Sequence, residues 1–171
     1  MIRLLTGSTH TGKTLLAQRL LERHGAPYLS IDHLKMGLIR SGMCPLTPES
    51  TDEALTAVLW PVVWEIVKTA VENGQSLTVE GCYIPFNWRE DFDASCLPHI
   101  RFLCLVFSEA YIRTRFDTIQ THANAIERRK DDSFCTMELL LAENRRNLEA
   151  CRRRGLPYYL IDGPYAPPLD W

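Results

Sequence analysis

The sequence lacks several features that would assign it quickly to a class of protein. Its formal net charge is only −2, which argues against a general nucleic-acid binder. It contains no repeat, linker or low-complexity segment, so residues 1–171 are expected to form one domain. No apolar run approaches the ~20 residues that a membrane span needs, and no secretory signal is recognisable. These absences predict a cytoplasmic protein without a membrane partner.

Cysteine is not scarce, but it does not occur in the pattern of a disulfide or zinc framework. None of the six cysteines forms a C-x-x-C pair with another, and several lie in apolar runs, as Cys104 does. This pattern is typical of reduced, core-filling cysteines in a cytosolic protein, and no structural metal site is expected from it. The Asn-Lys-x-Asp motif with which GTPases recognise their base is also missing, which disfavours a GTPase switch.

What the sequence does contain is a strand followed by a helix, several times over. Short apolar runs predict strands at 1–6, 27–31, 76–80, 100–106 and 158–162. The spacing of apolar residues and stop signals predicts helices at 13–24, 32–40, between 51 and 73, from about 108, and at 136–154. Pro61 is predicted either to kink the third helix or to open a new one. The pattern predicts an α/β fold, a three-layer sandwich of about five parallel strands with helices on both faces.

The strongest motif is a phosphate loop at residues 7–14. These residues match G-x-x-x-x-G-K-[ST] and follow a predicted strand just before a predicted helix, the context that the motif requires. The loop consists of Gly7, Ser8, Thr9, His10, Thr11, Gly12, Lys13 and Thr14. Its backbone N–H groups are expected to surround the phosphates of ATP, with Lys13 at the β and γ phosphates and the Thr14 hydroxyl on Mg²⁺.

Two carboxylates lie at the predicted carboxyl ends of strands, where ligands of parallel sheets bind. Asp32 is expected to orient an acceptor hydroxyl and take its proton, although capping of the next helix would explain it equally well. Glu80 is expected to hold Mg²⁺ through water and to contact substrate. Alternatively, Glu80 forms an ion pair with a nearby arginine. His33 follows Asp32 closely enough to line a substrate pocket, and Gly81 would let substrate approach the backbone.

Arginines flank a polar, aperiodic stretch at about 121–135, which predicts a mobile lid. Closure of such a lid would bring fixed positive charge to a transferred phosphoryl group. Arg113 and Arg129 are the candidates for a catalytic role, and Arg115 is the candidate for binding the nucleotide. Arg128 also flanks the lid. The arginines between 145 and 154 share a helix with glutamates and are expected to be solvated surface.

With these residues in place, the chain resembles the P-loop small-molecule kinases, the group that includes adenylate, shikimate and gluconate kinases. The resemblance rests on the phosphate loop, Asp32 with Arg40, Glu80-Gly81, the arginine-flanked lid and Asp162-Gly163-Pro164. It implies that about 33–75 forms the acceptor-binding segment, with Asp32, Arg40 and Gly81 on the acceptor. It also implies that Gly163 and the residues up to 166 lie near adenine. The Asp-Gly-Phe-Pro-Arg segment of adenylate kinases and the glycine triplet of shikimate kinases are absent, so the resemblance does not name the acceptor.

The sequence therefore predicts a phosphotransferase that uses ATP and Mg²⁺ and acts on a hydroxyl or phosphate of a small metabolite or nucleotide. A nucleotide-binding regulatory module without transfer remains an alternative, as does a polynucleotide 5′-kinase, whose binding would weaken steeply with salt. Nucleic acid is otherwise not expected as a partner. A monomer or a homodimer is expected, because no heptad seam is recognisable.

Overall fold

Strands and helices alternate along the chain as the sequence predicted. The structure, a computed structural model, describes residues 1–122 and 135–171. Within these residues the strands are β1 (Ile2–Gly7), β2 (Tyr28–Ser30), β3 (Leu77–Glu80), β4 (Ile100–Phe107) and β5 (Tyr158–Ile161). The α-helices are α1 (Lys13–His24), α2 (Ile31–Arg40), α3 (Asp52–Glu72), α4 (Glu109–His122) and α5 (Met137–Arg154). Two short 3₁₀ turns, Trp88–Asp91 and Leu97–His99, lead into β4.

The five strands form one parallel sheet in the order β2-β3-β1-β4-β5. β1 lies at the centre, with Leu5 beside Glu80 of β3 and Gly7 beside Leu105 of β4. All carboxyl ends therefore meet at one edge of the sheet, and the segments that follow them share a crevice there. The predicted α/β fold with five parallel strands is confirmed.

Side chains of β4 show why helices cover both faces of the sheet. Phe102, Cys104 and Val106 are buried in one apolar cluster, which α3 completes on one face. Leu103 and Leu105 are buried in a second cluster with α1 and α4 on the other face. This alternation is the period of two that a strand imposes, and burial on both sides is typical of parallel sheets.

Helix α2 begins one residue earlier than the sequence predicted. Ser30 occupies the N-cap position and the helix starts at Ile31, so Asp32 lies inside the first turn. The interpretation of Asp32 as the cap of this helix is therefore wrong. Its carboxylate still stabilises the helix N-terminus electrostatically, and it remains available for contacts with other side chains.

Helix α3 corrects two expectations. It runs unbroken from Asp52 to Glu72 with Pro61 inside it, so no new helix opens at the proline. By length and composition alone this 21-residue helix could cross a membrane, and the expectation that no apolar stretch approaches that length was wrong. Its buried face belongs to the core, as in a core helix of a globular domain, and consists of Leu55, Leu59, Trp60, Val63, Val67 and Ala70.

The close approach of Gly7 to β4 predicts how substitution of this glycine affects stability. A Cβ at Gly7, whose φ is 146°, would lie 2.4 Å from the Leu105 carbonyl oxygen, whereas one at Gly25, with φ 67°, meets nothing within 4 Å. We expect Gly25→Ala to lower the free energy of unfolding by about 1–2 kcal/mol, from backbone strain alone. Gly7→Ala should lower it by about 2–5 kcal/mol, because steric overlap adds to that strain. Urea denaturation measures both, and equal losses would contradict the close approach.

Candidate functional site

The phosphate loop has an unusual backbone. His10 has a positive φ of 65°, and Gly12 has a φ of 78°. Helix α1 begins directly afterwards with no side-chain cap on its N-terminus and no acidic residue in its first turn. A helix N-terminus without internal partners attracts anions. The loop therefore fits the phosphates of a nucleotide, as the motif predicted.

Lys13 is folded back onto this loop. Its ammonium donates to the Ser8 carbonyl at 2.8 Å, and the Thr11 hydroxyl donates to the same oxygen at 2.9 Å. Burial lowers the pKa of Lys13, but the ionisable groups of Cys82, Glu80 and Asp32 raise it more, so the pKa lies above its usual value. Lys13 is therefore a permanent cation within the loop, as contact with phosphates requires.

Thr14 and Glu80 meet across the sheet edge. The Thr14 hydroxyl donates to Glu80 Oε1 at 3.4 Å, and Glu80 is buried at the end of β3 with 2% of its surface exposed. A hydroxyl and a buried carboxylate are ligands that suit Mg²⁺ and its bound waters. The structure thus brings together the two residues that the sequence assigned to the metal.

Asn144 of α5 connects the phosphate loop to β4. This buried side chain donates to Ser8 Oγ at 2.7 Å and accepts from the Phe107 backbone N–H at 2.8 Å. It also donates to the Leu140 carbonyl one turn earlier at 2.8 Å. The sequence analysis gave Asn144 no role. An asparagine among apolar positions of a helix was the available signal.

Tyr165 contacts the loop from the segment after β5. Its hydroxyl donates to the Gly12 carbonyl at 2.7 Å, and a Cβ on Gly12 would lie 2.8 Å from its ring. The Arg19 guanidinium lies 5.4 Å from the ring centroid. The segment of 163–166 expected near adenine therefore reaches the phosphate loop through Tyr165, and Gly163 lies two residues before it.

Asp32 belongs to a small polar cluster at the start of α2. Lys35 Nζ lies 2.8 Å from Asp32 Oδ1 and donates to the Tyr83 hydroxyl at 3.0 Å. The charge of Asp32 also raises the pKa of Lys13, and α2 follows β2 at the same edge of the sheet as the phosphate loop. Sequence analysis overlooked Lys35, whose only signal was its position one helical turn after Asp32.

The other predicted acceptor residues are less closely grouped. His33 is exposed and makes no hydrogen bond or ion pair within the described part of the chain. Arg40 ends α2, eight residues and about 12 Å of helix after Asp32, so the two do not meet. Gly81 is buried, and a Cβ there would lie 2.8 Å from Ile31 Cβ, which gives this glycine a packing role at the crevice wall.

The predicted lid arginines are described only in part. Arg113 lies on α4 and makes an ion pair with Glu109 at 2.8 Å. Arg115, two residues further on, has non-helical dihedral angles (φ −129°, ψ 20°) and marks a kink in the helix. Arg128, Arg129 and most of the predicted lid lie outside the described residues.

Glu143 adds a carboxylate that the sequence did not assign to the site. Its carboxylate accepts a hydrogen bond from the backbone N–H of Thr9, and the charges of Lys13 and Asp52 act on it. Burial is the main cause of its raised pKa, the charge of Asp52 adds to it, and the Thr9 hydrogen bond opposes it. The crevice therefore holds cations and carboxylates close together, which suits a site that binds a phosphate and moves a proton.

Comparison with solved structures places this geometry in a known fold. The gluconokinase from Sinorhizobium meliloti 1021 superposes with a TM-score of 0.53 and 20% identity, covering 98% of this chain and 83% of that one. A shikimate kinase from Bacteroides thetaiotaomicron superposes with a TM-score of 0.55 and 13% identity, covering 95% of this chain and 86% of that one. A deoxyadenosine kinase from M. mycoides superposes with a TM-score of 0.55 and 10% identity, covering 95% of this chain and 90% of that one.

The fold is that of the P-loop small-molecule kinases. The resemblance that the sequence suggested is confirmed at this level. No family model matches the sequence, and no curated protein matches it. At these low identities the kinase fold is established, while the acceptor depends on what this chain's own residues bind.

A separate groove lies away from the kinase site. It has a volume of about 700 Å³ and opens between α3 and the amino ends of β2 and β3, where Pro27 and Leu77 line it. Ligands of parallel sheets bind at the carboxyl ends of the strands, and the phosphate loop lies there. We therefore do not assign this groove to the site.

The contacts of Asn144 predict a loss of both stability and nucleotide binding. Asn144→Ala leaves the Phe107 N–H without its acceptor and removes the donor to the Ser8 hydroxyl, and an unsatisfied buried group costs about 1–3 kcal/mol. We expect a clear fall in the free energy of unfolding and a weaker affinity for ADP by calorimetric titration. Asn87→Ala removes only an exposed hydrogen bond to Glu90 and should change stability by less than about 0.5 kcal/mol. Similar small effects in both variants would argue against the connecting role.

Proposed function

We propose that this protein is an ATP- and Mg²⁺-dependent phosphotransferase acting on a hydroxyl or phosphate of a small metabolite or nucleotide. One observation carries the proposal: on a kinase fold, Asp32 follows β2 at the same edge of the sheet as the phosphate loop, and its charge raises the pKa of the loop cation Lys13. A phosphate-binding loop alone would serve a regulatory module equally well. A carboxylate beside it is what transfer to an acceptor hydroxyl requires.

The residues of the phosphate loop would hold the nucleotide, with Thr14 and Glu80 on the metal. When bound, ATP with Mg²⁺ supplies a transferable phosphoryl group whose charge the metal offsets. Lys13 stabilises the negative charge that spreads over that group during transfer. Asp32 orients the acceptor hydroxyl: the acceptor oxygen forms the new bond to phosphorus, its proton passes to Asp32, and ADP leaves with the bridging oxygen.

The remaining predicted residues take supporting roles in this proposal. Arg113 and Arg129 would bring positive charge to the transferred group, Arg115 would contact the nucleotide, and Gly163 would lie at the adenine. Arg129 lies outside the described residues, and the roles of all four residues stay predictions. The cysteine pattern supports a cytoplasmic location. A small-molecule acceptor is the proposed partner.

Mg²⁺-dependent release of ADP from ATP tests the proposal, with pooled nucleosides, nucleotides, sugar acids and hydroxy acids as acceptors. We expect one pool to stimulate turnover. Lys13→Ala should lower the acceptor-stimulated rate at least about 100-fold through lost charge stabilisation. Asp32→Asn should lower it about 10²–10⁴-fold, because proton transfer to the carboxylate is lost while its shape is kept.

A matched control uses another aspartate of the same chain. Asp170 makes an exposed ion pair with Arg23, 3.0 Å away at the far end of α1, and Asp170→Asn should leave turnover unchanged. If ADP and Mg²⁺ bind but no pool stimulates turnover on widening panels, the regulatory module becomes the better account. Stimulation by single-stranded oligonucleotides with a steep loss at higher salt would favour the polynucleotide kinase instead.

A further inference from the structure

The carbonyl of Gly12 accepts two hydrogen bonds, one from its own helix and one from a distant part of the chain. The Leu16 backbone N–H donates to this oxygen at 2.9 Å, which is the usual bond of the first turn of a helix. The Tyr165 hydroxyl donates to the same oxygen at 2.7 Å from 153 positions away in the chain. Tyr165 therefore adds a restraint that the helix does not supply by itself.

This restraint acts on the peptide unit that Gly12 shares with Lys13. The unit is planar and trans, since no peptide bond among the described residues is cis. Its N–H, which belongs to Lys13, therefore points opposite to its C=O. Because the carbonyl is directed along α1 toward Leu16, the Lys13 N–H points out beyond the N-terminus of the helix, the end at which anions bind.

The bond from Tyr165 has two effects on that N–H. It fixes the plane of the peptide unit, and it polarises the unit, because linked hydrogen bonds strengthen one another. Burial raises the pKa of Tyr165, and the charge of Arg19 opposes that shift only in part. The hydroxyl therefore keeps its proton at physiological pH and remains a donor to the Gly12 carbonyl.

The ring of Tyr165 is packed closely against the loop and α1. A Cβ on Gly12 would lie 2.8 Å from the ring, so only a glycine at this position allows so close an approach. The Arg19 guanidinium lies 5.4 Å from the ring centroid, within the range of a cation–π interaction. A phenol has a single O–H donor, and here it is used by the Gly12 carbonyl.

The segment 163–171, which carries Tyr165, is also attached to the opposite end of α1. His24 Nε2 lies 3.1 Å from the Leu169 carbonyl oxygen, and Arg23 pairs with Asp170 at 3.0 Å. Prolines restrict the backbone at three positions of this segment. Contacts at both ends of the helix therefore place the Tyr165 side chain against the loop.

We propose that Tyr165 is a positioning residue of the nucleotide site, which acts on the phosphates of the nucleotide through the Gly12–Lys13 peptide and not on the base. This inference rests on the proposed function, in which the loop holds a nucleotide, and deepens it. Tyr165 itself touches no phosphate in this scheme. It holds and polarises the Lys13 N–H, and that N–H donates to the phosphate.

Two ligands that share phosphates but differ in the base test the inference. Calorimetric titration in the presence of Mg²⁺ compares ADP with inorganic pyrophosphate, which has no base, on the unmodified protein and on Tyr165→Phe. The variant keeps the ring and loses only the hydroxyl. We expect the Kd of both ligands to rise by the same factor, about 2- to 13-fold, the worth of one hydrogen bond. A rise for ADP alone would place the action of Tyr165 on the base and overturn the inference.

The amide resonance of Lys13 gives a readout that needs no ligand. Loss of the hydrogen bond to the Gly12 carbonyl changes the polarisation of the Gly12–Lys13 peptide. In NMR spectra of the free protein, Tyr165→Phe should therefore shift the amide-nitrogen resonance of Lys13 more than that of Thr14, whose peptide unit Tyr165 does not bond. Equal shifts at the two positions contradict the inference.

A second tyrosine serves as the matched control. Tyr158 lies at the start of β5 and is 36% exposed, and its hydroxyl makes no hydrogen bond within residues 1–122 and 135–171. Tyr158→Phe should leave the Kd of both ligands unchanged. Urea denaturation of Tyr165→Phe guards against a folding defect. A variant that is less stable but binds ADP and pyrophosphate as before would make Tyr165 merely structural, and the inference would fail.

The outcomes separate this inference from the proposed kinase activity. If Tyr165→Phe weakens ADP and pyrophosphate equally but no acceptor stimulates ADP release, the inference stands and the kinase proposal fails. If an acceptor stimulates turnover and the variant binds both ligands normally, the kinase stands and the inference fails. Where turnover occurs, Tyr165→Phe should raise the KM of ATP about 2- to 13-fold and leave the KM of the acceptor unchanged. Absence of ADP and pyrophosphate binding to the unmodified protein also overturns the inference.

Discussion

The tight turn from Ser8 to Thr11 is held from outside, and the rest of the site depends on that restraint. Asn144 binds the Ser8 hydroxyl, Tyr165 binds the Gly12 carbonyl, and the Leu105 carbonyl lies close behind Gly7. Backbone conformations such as the positive φ of His10 cost free energy and persist only where the surroundings impose them. Contacts from α5, β4 and the segment after β5 therefore hold the backbone of the loop in place at the N-terminus of α1.

Charge is distributed through the crevice in a way that suits two different ligands. Lys13 is buried within the loop, with Glu80 close to Thr14 at the end of β3. Asp32 and Lys35 form a second pair on α2. The charges of Glu80 and Asp32 raise the pKa of Lys13, and Asp32 also pairs with Lys35. Carboxylates therefore compensate the desolvation of both cations.

Several expectations needed correction, and each for a physical reason. Asp32 was expected to cap its helix, but Ser30, two residues earlier, occupies the N-cap position, and the helix begins at Ile31. Pro61 was expected either to kink the third helix or to open a new one, and only the new helix is excluded, since α3 runs through the proline with Trp60 and Val63 packed in the core. Tertiary burial can override a local breaker of this kind. Lys35 was overlooked because a lysine one turn after an aspartate is common on solvated helices.

The sequence by itself determined the class of fold and the phosphate loop, because strand alternation, helical spacing and the 7–14 motif are all short-range patterns. Only the tertiary structure decided which distant residues meet. Asn144 reaches Ser8 from 136 residues away, and Lys35 reaches Tyr83 from 48 residues away. Such contacts follow from the order of strands in the sheet and from the packing of helices upon it. No local pattern encodes that order, and so the partners of Lys35 were visible only once the chain was folded.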